Sequence, residues 1–194
     1  MARTKEFDPD AALDAALELF WARGYEATSM ADLVAHLGIA RASVYATFGS
    51  KHELYMRAVE RYLESRDPAL MEELSAPGPA LPGVRALVRR YAGQAAAEET
   101  RRSGCLITNS AAELAARDPA VARRVELSWE YVETLLHSSL VRARAQGELP
   151  EDRDPRALAR LLLVVLQGVR VVGKASSNPA LVQDAAEQAL TLLD

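Results

Sequence analysis

The sequence predicts an all-α fold, and three observations lead to that prediction. Ala and Leu dominate the composition, and runs of β-branched residues, which favour strands, are nearly absent. Apolar residues recur three and four positions apart along most of the chain, as amphipathic helices require. Apolar residues make up 49 % and charged residues 26 % of the 194 residues, which is ordinary for a globular protein of one domain or one and a half.

The segment 28–51 predicts two short helices joined by a tight turn. Thr28 and Ser29 are suitable N-caps of the first helix, and Asp32 follows Ser29 at the spacing of a capping box. Gly38 is expected to end this helix, because glycine adopts the left-handed backbone conformation without strain.

The second short helix, which starts near Ala40 and ends at Phe48, has a polar outer surface. That surface is formed by Arg41, Ala42, Ser43, Tyr45 and Thr47. Two short helices joined by a turn with Gly, the second of them polar, are typical of a helix-turn-helix. Arg and Ser side chains can reach base edges or phosphates, Tyr and Thr can donate to phosphates, and Ala can meet a thymine methyl group.

Lys51 lies in the first turn of the next helix, directly after the cap Ser50. The helix macrodipole disfavours a cation there. Another interaction must therefore stabilise Lys51 at this position, and a phosphate contact would do so. Residues 33–52 contain two cations and no acid, although the net charge of −4 argues against a general polyanion binder. Arg3 and Lys5 are expected to add a flexible basic arm.

These motifs resemble the TetR family of one-component transcriptional regulators over residues 8–66. The shared features are an apolar helix, a Gly-Ile turn, a short helix with Val-Tyr and a closing Phe, and then Gly-Ser-Lys and Glu-Leu-Tyr. The resemblance implies DNA contacts at Arg41, Ser43, Tyr45, Thr47 and Lys51, and places Thr28 and Ser29 at the start of the preceding helix, whose end meets the DNA backbone. Ala40 departs from the family pattern, since Ser or Thr often caps the recognition helix at that position.

We expect three parts along the chain: a helix-turn-helix domain at 1–50, a connector helix at 51–75 and an effector-binding and dimerisation domain at 76–194. The connector should run to about residue 64, with Pro68 marking a break or a further helical piece. The Pro- and Gly-rich segment 76–83 predicts a loop. The later helices are expected at 82–100, 105–117, 119–146, 154–175 and 178–193.

The segments 154–175 and 178–193 are the predicted homodimer interface. Helix 154–175 is apolar nearly all round, so both of its sides must be buried. One side can face its own core and the other a partner subunit, and the family resemblance implies the same four-helix arrangement between symmetry mates.

The resemblance also implies an effector pocket, for an apolar or amphipathic molecule, within residues 67–175. Polar or aromatic residues in otherwise apolar helices are the candidates for its wall: Tyr91, Gln94, Cys105, Thr108, Asn109, Trp129 and His137. Each of them also suits ordinary core packing, and the sequence leaves both interpretations open.

Cys105 allows two interpretations of its own. A free Cys is most often a small buried hydrophobe. It also follows Arg101 and Arg102 at a helix start, where cations and the helix N-terminus favour the thiolate of an oxidant or electrophile sensor. The segment GCLITNSAAEL resembles the same helix in a TetR subgroup with members that respond to reactive compounds.

Other classes of protein find little support in the sequence. It contains no GxSxG, P-loop or dinucleotide fingerprint, so we expect neither an enzyme nor a cofactor. Three scattered His and one Cys lack the spacing of a metal site, and that single Cys excludes an internal disulfide. The chain shows neither a signal peptide nor a membrane span, so we expect a cytoplasmic protein with no membrane contact.

The expected function is a dimeric regulator of double-stranded DNA. Steric blocking of a promoter needs no activation surface, so we expect a repressor and not an activator. A small-molecule or reactive effector would release this repressor from a near-palindromic operator. A purely structural or interaction protein would leave the polar recognition helix unexplained.

Overall fold

The computed structural model describes residues 7–98 and 103–194, and every regular element in these ranges is helical. The predicted basic arm with Arg3 and Lys5, and also Arg101 and Arg102, lie outside the described residues. The helices are α1 Pro9–Arg23, α2 Met30–Leu37, α3 Arg41–Phe48, α4 Lys51–Ser75, α5 Leu81–Ala96, α6 Leu106–Glu113, α7 Pro119–Ala145, α8 Pro155–Ala175 and α9 Ala180–Leu190, followed by a 3-10 turn, Thr191–Leu193. The all-α fold predicted from the sequence is confirmed.

Local capping sets the ends of the two short helices α2 and α3. Ser29 and Asp32 form the expected capping box, in which Ser29 Oγ accepts a hydrogen bond from the Asp32 amide at 3.1 Å. Gly38 ends α2 in the left-handed conformation with φ of 64°. Helix α3 starts after Ala40 without a side-chain cap, so its position depends on packing of its inner face.

Helix α4 is continuous from Lys51 to Ser75 and passes through Pro68, which corrects the expected break near residue 64. A proline inside a helix removes one backbone hydrogen bond and favours a kink. Leu63 and Leu70, on either side of it, are both only 2 % exposed. Packing therefore holds both halves of the helix in one rod.

Helix α6 is shorter than the sequence predicted, ending at Glu113 instead of Arg117. The carbonyl of Leu114 accepts hydrogen bonds from the Arg117 and Asp118 amides, both at 2.9 Å, and so closes a tight turn. Asp118 then caps α7 by accepting from two amides of its first turn.

Buried apolar side chains form two clusters that meet along α4. The first joins α1, α2, α3 and α4 as far as Leu63 with α6 and the beginning of α7, as far as Val125. The second starts at Leu70 and joins α5, the rest of α7, α8 and α9, ending at Leu193. The core beneath the predicted DNA-binding helices is therefore closed by side chains from the C-terminal half of the chain.

Gly49→Ala should destabilise the protein more than Gly38→Ala. Gly38, with φ of 64° and ψ of 24°, is in the left-handed helical region, where a Cβ costs about 1 kcal/mol. Gly49, with φ of 77° and ψ of −129°, lies outside that region, where the strain of a Cβ is larger, about 1–3 kcal/mol. A Cβ at residue 49 would also clash with the carboxylate of Glu53, whereas a Cβ at residue 38 would meet no described side chain beyond its chain neighbours within 4 Å. That carboxylate accepts the Ser50 amide in the capping box of α4.

We therefore expect the free energy of unfolding to fall by about 2–3 kcal/mol for Gly49→Ala, because strain and loss of the cap add together. Urea unfolding of the two variants beside the wild type measures this difference. Equal losses at the two positions would contradict a role for the Glu53 cap.

Candidate nucleic-acid interface and ligand cavity

Helix α3 presents a polar outer face and is anchored by a small inner one. Val44 and Phe48 are 1 % and 2 % exposed and fix the helix to the first core. Tyr45 is 42 % exposed. Arg41, Ala42 and Ala46 are also exposed, while Ser43 and Thr47 are half-buried. None of the five α3 residues predicted to contact DNA is fully buried.

Arg41 and Tyr45 form a pair one helical turn apart on this face. The Arg41 guanidinium lies 5.7 Å from the centre of the Tyr45 ring, and its Nη2 donates to the Tyr45 hydroxyl at 3.4 Å. Helix α3 contains no acidic residue, and Arg41 has no carboxylate partner among the described residues. A phosphate or a base edge can therefore take this guanidinium without breaking an ion pair.

Two of the predicted DNA contacts have structural roles. Lys51 Nζ donates to the carbonyls of Tyr25 and Thr28, both at 2.9 Å, and lies 4.0 Å from the centre of the Tyr25 ring. These two carbonyl contacts offset the unfavourable interaction of the Lys51 cation with the macrodipole of α4. A phosphate contact would add to them. The Thr28 side chain is fully buried, and its hydroxyl donates to the Gly24 carbonyl at 2.7 Å. This corrects the expectation for Thr28, whose side chain cannot reach a DNA backbone; Ser29 is exposed.

Arg57 is a candidate that the sequence analysis missed. It is exposed on α4, its Nη1 donates to the Thr47 carbonyl at 3.3 Å, and its guanidinium lies 5.9 Å from the centre of the Phe48 ring. It therefore adds positive charge at the C-terminal end of α3. Arg57 follows Lys51 by six residues, which places it on a different face of α4, so the helical spacing gave no signal for it.

A cavity of about 470 Å³ lies where α1, α4, α5 and α8 meet the segment before α6. Three of the predicted effector residues line it, namely Tyr91, Gln94 and Cys105. The sequence analysis missed the rest of its wall: Leu17, Trp21, Tyr62, Ser65, Arg66, Arg90, Ala95, Ser103, Gly104 and Arg170. These residues are far apart in the sequence, so no local pattern could group them.

The other predicted effector residues lie elsewhere. Thr108 and Asn109 line a second cavity of about 430 Å³ between α1, α6 and α8, together with Lys174. Thr108 Oγ1 donates to Gln167 Oε1 at 2.7 Å, and Asn109 Nδ2 donates to the Ser103 carbonyl at 2.9 Å. Both side chains therefore have partners within the fold.

Trp129 and His137 line neither cavity, which corrects their assignment to the pocket wall. Both lie half-buried on α7, and no residue of α7 lines either cavity. Trp129 packs against the first core instead, and its indole Nε1 is buried without a hydrogen-bond partner among the described residues.

Cys105 is 3 % exposed and occupies the N-cap position of α6. The Tyr62 hydroxyl donates to its Sγ at 3.5 Å. Burial acts to raise the pKa of the thiol, but the charge of Arg170 and the hydrogen bonds of Tyr62 and Thr108 outweigh burial and lower the pKa to about 7. The thiol is thus buried, as a small hydrophobe would be, and it also has a lowered pKa, as a sensor would have. The sequence analysis treated these two properties as alternatives.

Polar contacts join the N-terminal helices to the C-terminal half. The Glu113 carboxylate accepts the amides of Tyr25 and Glu26 at 3.1 and 2.8 Å. His52 Nε2 and Asp118 Oδ2 lie 2.7 Å apart. The Val121 amide, and then the bond and charge of His52, lower the pKa of Asp118 against the effect of burial. The Glu113 contacts therefore link the end of α6 to the loop before α2.

Within residues 7–98 and 103–194, no group of three or more His, Cys, Asp or Glu side chains is placed to hold a metal ion. No helix in this part of the chain combines the length and apolar character that crossing a membrane requires.

A helix-turn-helix with a polar second helix, attached to a helical domain, is the architecture of a DNA-binding transcriptional regulator. The model of bacterial regulatory proteins of the tetR family matches residues 12–58, and the model of the tetracyclin repressor-like C-terminal domain matches residues 80–189. The chain belongs to the TetR family, whose members are DNA-binding transcriptional regulators and not enzymes. The resemblance found in the sequence is confirmed.

Relatives match over the whole chain. The uncharacterized HTH-type transcriptional regulator YezE of Bacillus subtilis (strain 168) is 40 % identical over 195 residues, which is 100 % of both chains. The HTH-type transcriptional repressor ComR of Escherichia coli (strain K12) is 29 % identical over 91 % of this chain and 84 % of its own. A cysteine mutant of the TetR family regulator CifR, solved with 26-bp operator DNA, is 30 % identical with a TM-score of 0.86 over 100 % of both chains.

Proposed function

We propose that this protein is a homodimeric repressor that binds a near-palindromic operator through α3 and leaves it when an effector fills the cavity. The exposed, acid-free outer face of α3 is the observation that carries the proposal. The structure of a CifR mutant on operator DNA and the repressor ComR support it by similarity. Such a protein acts in the cytoplasm, where bacterial chromosomal DNA lies.

Four side chains of α3 contribute to DNA binding in this proposal. Arg41 reaches a phosphate or a guanine edge, because its guanidinium has no competing carboxylate among the described residues. Tyr45 and Thr47 donate to phosphates, which fixes the position of the helix without reading sequence. Ala42 faces the bases, where a small side chain permits close approach.

Tyr45→Ala should weaken binding to all duplexes alike, by about tenfold, because a hydrogen bond to a charged phosphate is lost. Ala42→Arg should instead change which base pairs are preferred. Both are measured by gel shift and by a salt titration, on a duplex that the wild-type protein selects from random sequences and on a scrambled duplex.

Arg123→Ala is the matched control, since Arg123 is 59 % exposed on α7 and pairs with Glu126. It should leave both affinity and preference unchanged. Wild-type affinity and preference in both α3 variants would refute the assignment of this face.

The dimer is proposed to form through the outer faces of α8 and α9. The inner face of α8 packs in the second core through Leu162, Leu166 and other side chains. On the opposite face Val164 and Val171 are 66 % and 53 % exposed, and on α9 Leu181 is 53 % exposed. Such apolar surface on two neighbouring helices supports burial against a second copy. Two copies of α3 could then stand about 34–36 Å apart, one turn of DNA.

Val164→Asp should therefore convert the dimer to a monomer and abolish specific DNA binding, because a carboxylate would be buried without a partner. Light scattering after gel filtration measures the mass, for which a monomer gives 21.1 kDa. Leu127→Asp on α7, where the side chain is 39 % exposed, is the control and should remain dimeric. A dimeric Val164→Asp protein would exclude this interface.

Effector control rests on the place of the cavity between the two halves. Leu17 and Trp21 of α1 form one wall, and Tyr91 of α5 forms another. At its edge Trp21 Nε1 donates to the Gly104 carbonyl at 3.1 Å. A ligand that favours a different separation of these walls moves α1 relative to the C-terminal half, and it can release DNA only to the extent that it binds that state more tightly.

Covalent modification of Cys105 is a second candidate for the signal, favoured by its lowered pKa and its place in the cavity wall. With N-ethylmaleimide the thiolate sulfur would add to the alkene. An S–C bond forms, the C=C π bond breaks, and the resulting carbanion takes a proton from water. The added group would occupy the cavity and act as a permanently bound effector.

N-ethylmaleimide should release the wild-type protein from DNA and leave Cys105→Ser bound, because the chain has one cysteine. Since the thiolate is the nucleophile, the rate of modification should rise with pH through about 7, the pKa of the thiol, and then level off. Mass spectrometry follows the adduct and gel shifts follow DNA. Equal release of Cys105→Ser would rule out this signal.

A further inference from the structure

The wall of the larger cavity combines aromatic and cationic side chains. Its volume of about 470 Å³ falls within the range of small-molecule sites. Trp21, Tyr62 and Tyr91 contribute three aromatic rings, and Leu17 adds an aliphatic surface. These groups favour a flat or apolar body in the ligand.

Three arginines line the same cavity, and no Asp or Glu does among the described residues. Arg66 pairs with Asp67 at 2.6 Å, and Arg90 pairs with Glu73. Among the described residues that line the cavity, one guanidinium group is therefore left without a carboxylate partner.

Arg170 carries the charge that remains. Its guanidinium lies 4.1 Å from the centre of the Tyr91 ring, and it forms no ion pair with a carboxylate in the described part of the chain. Arg170 is half-buried, so water only partly solvates its guanidinium group. A guanidinium in this state binds a carboxylate strongly, through two parallel hydrogen bonds.

We propose that this cavity binds an amphipathic organic anion, whose carboxylate pairs with Arg170 and whose apolar body packs on Trp21, Tyr62 and Tyr91. The inference rests on the proposed effector control, and it names the chemical class of the effector. A cationic ligand would be repelled by the arginines, and a neutral one would leave Arg170 without a carboxylate partner.

The state of Cys105 supports the same orientation. The charge of Arg170 is the largest of the effects that lower the pKa of this buried thiol. The field of Arg170 therefore acts on anions inside the cavity and not only on solvent at its rim.

Three naphthalene derivatives that differ only in the head group test the proposal. Isothermal titration of the purified 194-residue protein without DNA compares 2-naphthoate, 2-naphthylmethanol and 2-naphthylmethylammonium. We expect 2-naphthoate to bind at least about tenfold more tightly than the alcohol, and the ammonium compound to bind most weakly. Equal affinities, preference for the cation or no binding of 2-naphthoate would overturn the proposal.

Two substitutions separate the charge from the cavity itself. Arg170→Gln should remove the preference for 2-naphthoate and leave the affinity for the alcohol unchanged. Arg156→Gln, on the same helix but outside the cavity and 55 % exposed, should behave as the wild type. Ser65→Trp places an indole at an exposed part of the wall and should weaken the binding of all three compounds. Retained preference in Arg170→Gln would overturn the proposal even if Ser65→Trp fails to fold.

Protection of Cys105 locates the bound ligand. Because Cys105 lines the cavity, saturating 2-naphthoate should slow its modification by N-ethylmaleimide, and unaltered modification would place the ligand elsewhere and refute the site. Gel shifts then test the proposed function separately. Selective binding of 2-naphthoate without DNA release would support the site and argue against effector control.

Discussion

The position of the DNA-binding helices depends on the burial of Tyr55. This side chain of α4 is 1 % exposed, and its ring packs edge-on against Phe20 of α1 at 5.1 Å. Its hydroxyl is hydrogen-bonded to Ser110 Oγ of α6 at 2.7 Å. Burial raises the pKa of Tyr55 to about 12, so the phenol stays neutral and keeps this bond throughout the physiological range. An unpaired buried hydroxyl is costly, so the hydrogen bond between Tyr55 and Ser110 holds α4 and α6 together. The packing of the Tyr55 ring on Phe20 adds α1 to the same unit.

Helix α4 connects this aromatic centre to the ligand cavity. Lys51 at its start holds two carbonyls of the loop before α2, and Tyr62 and Arg66 line the cavity. The distance along the helix from Lys51 to Arg66 is about 22 Å at 1.5 Å per residue. Because both of its halves are packed in cores, α4 would move as a rigid rod under the proposed effector control.

Local signals in the sequence predicted the fold well, because they act within about four residues. The capping box at Ser29 and the left-handed Gly38 are of this kind, and they place α2 and α3. Contacts distant in sequence were not predictable from pattern. The burial of Thr28 and the approach of Trp21 to Gly104, 83 positions later, depend on how helices assemble. For the same reason four of the seven expected pocket residues lie outside the larger cavity, and its three arginines were not among the expected residues.

The two effector chemistries compete for one charge. A thiolate at Cys105 and a carboxylate in the cavity both take Arg170 as counter-ion, so each weakens the stabilisation of the other. A bound anion would restore the effect of burial and raise the pKa of the thiol, whereas a neutral electrophile would meet a thiolate already stabilised by Arg170. The same wall can therefore serve a reversible anionic ligand and a reactive neutral one, but not both at once. Under the two proposals, Arg170 would therefore influence the response to either kind of effector.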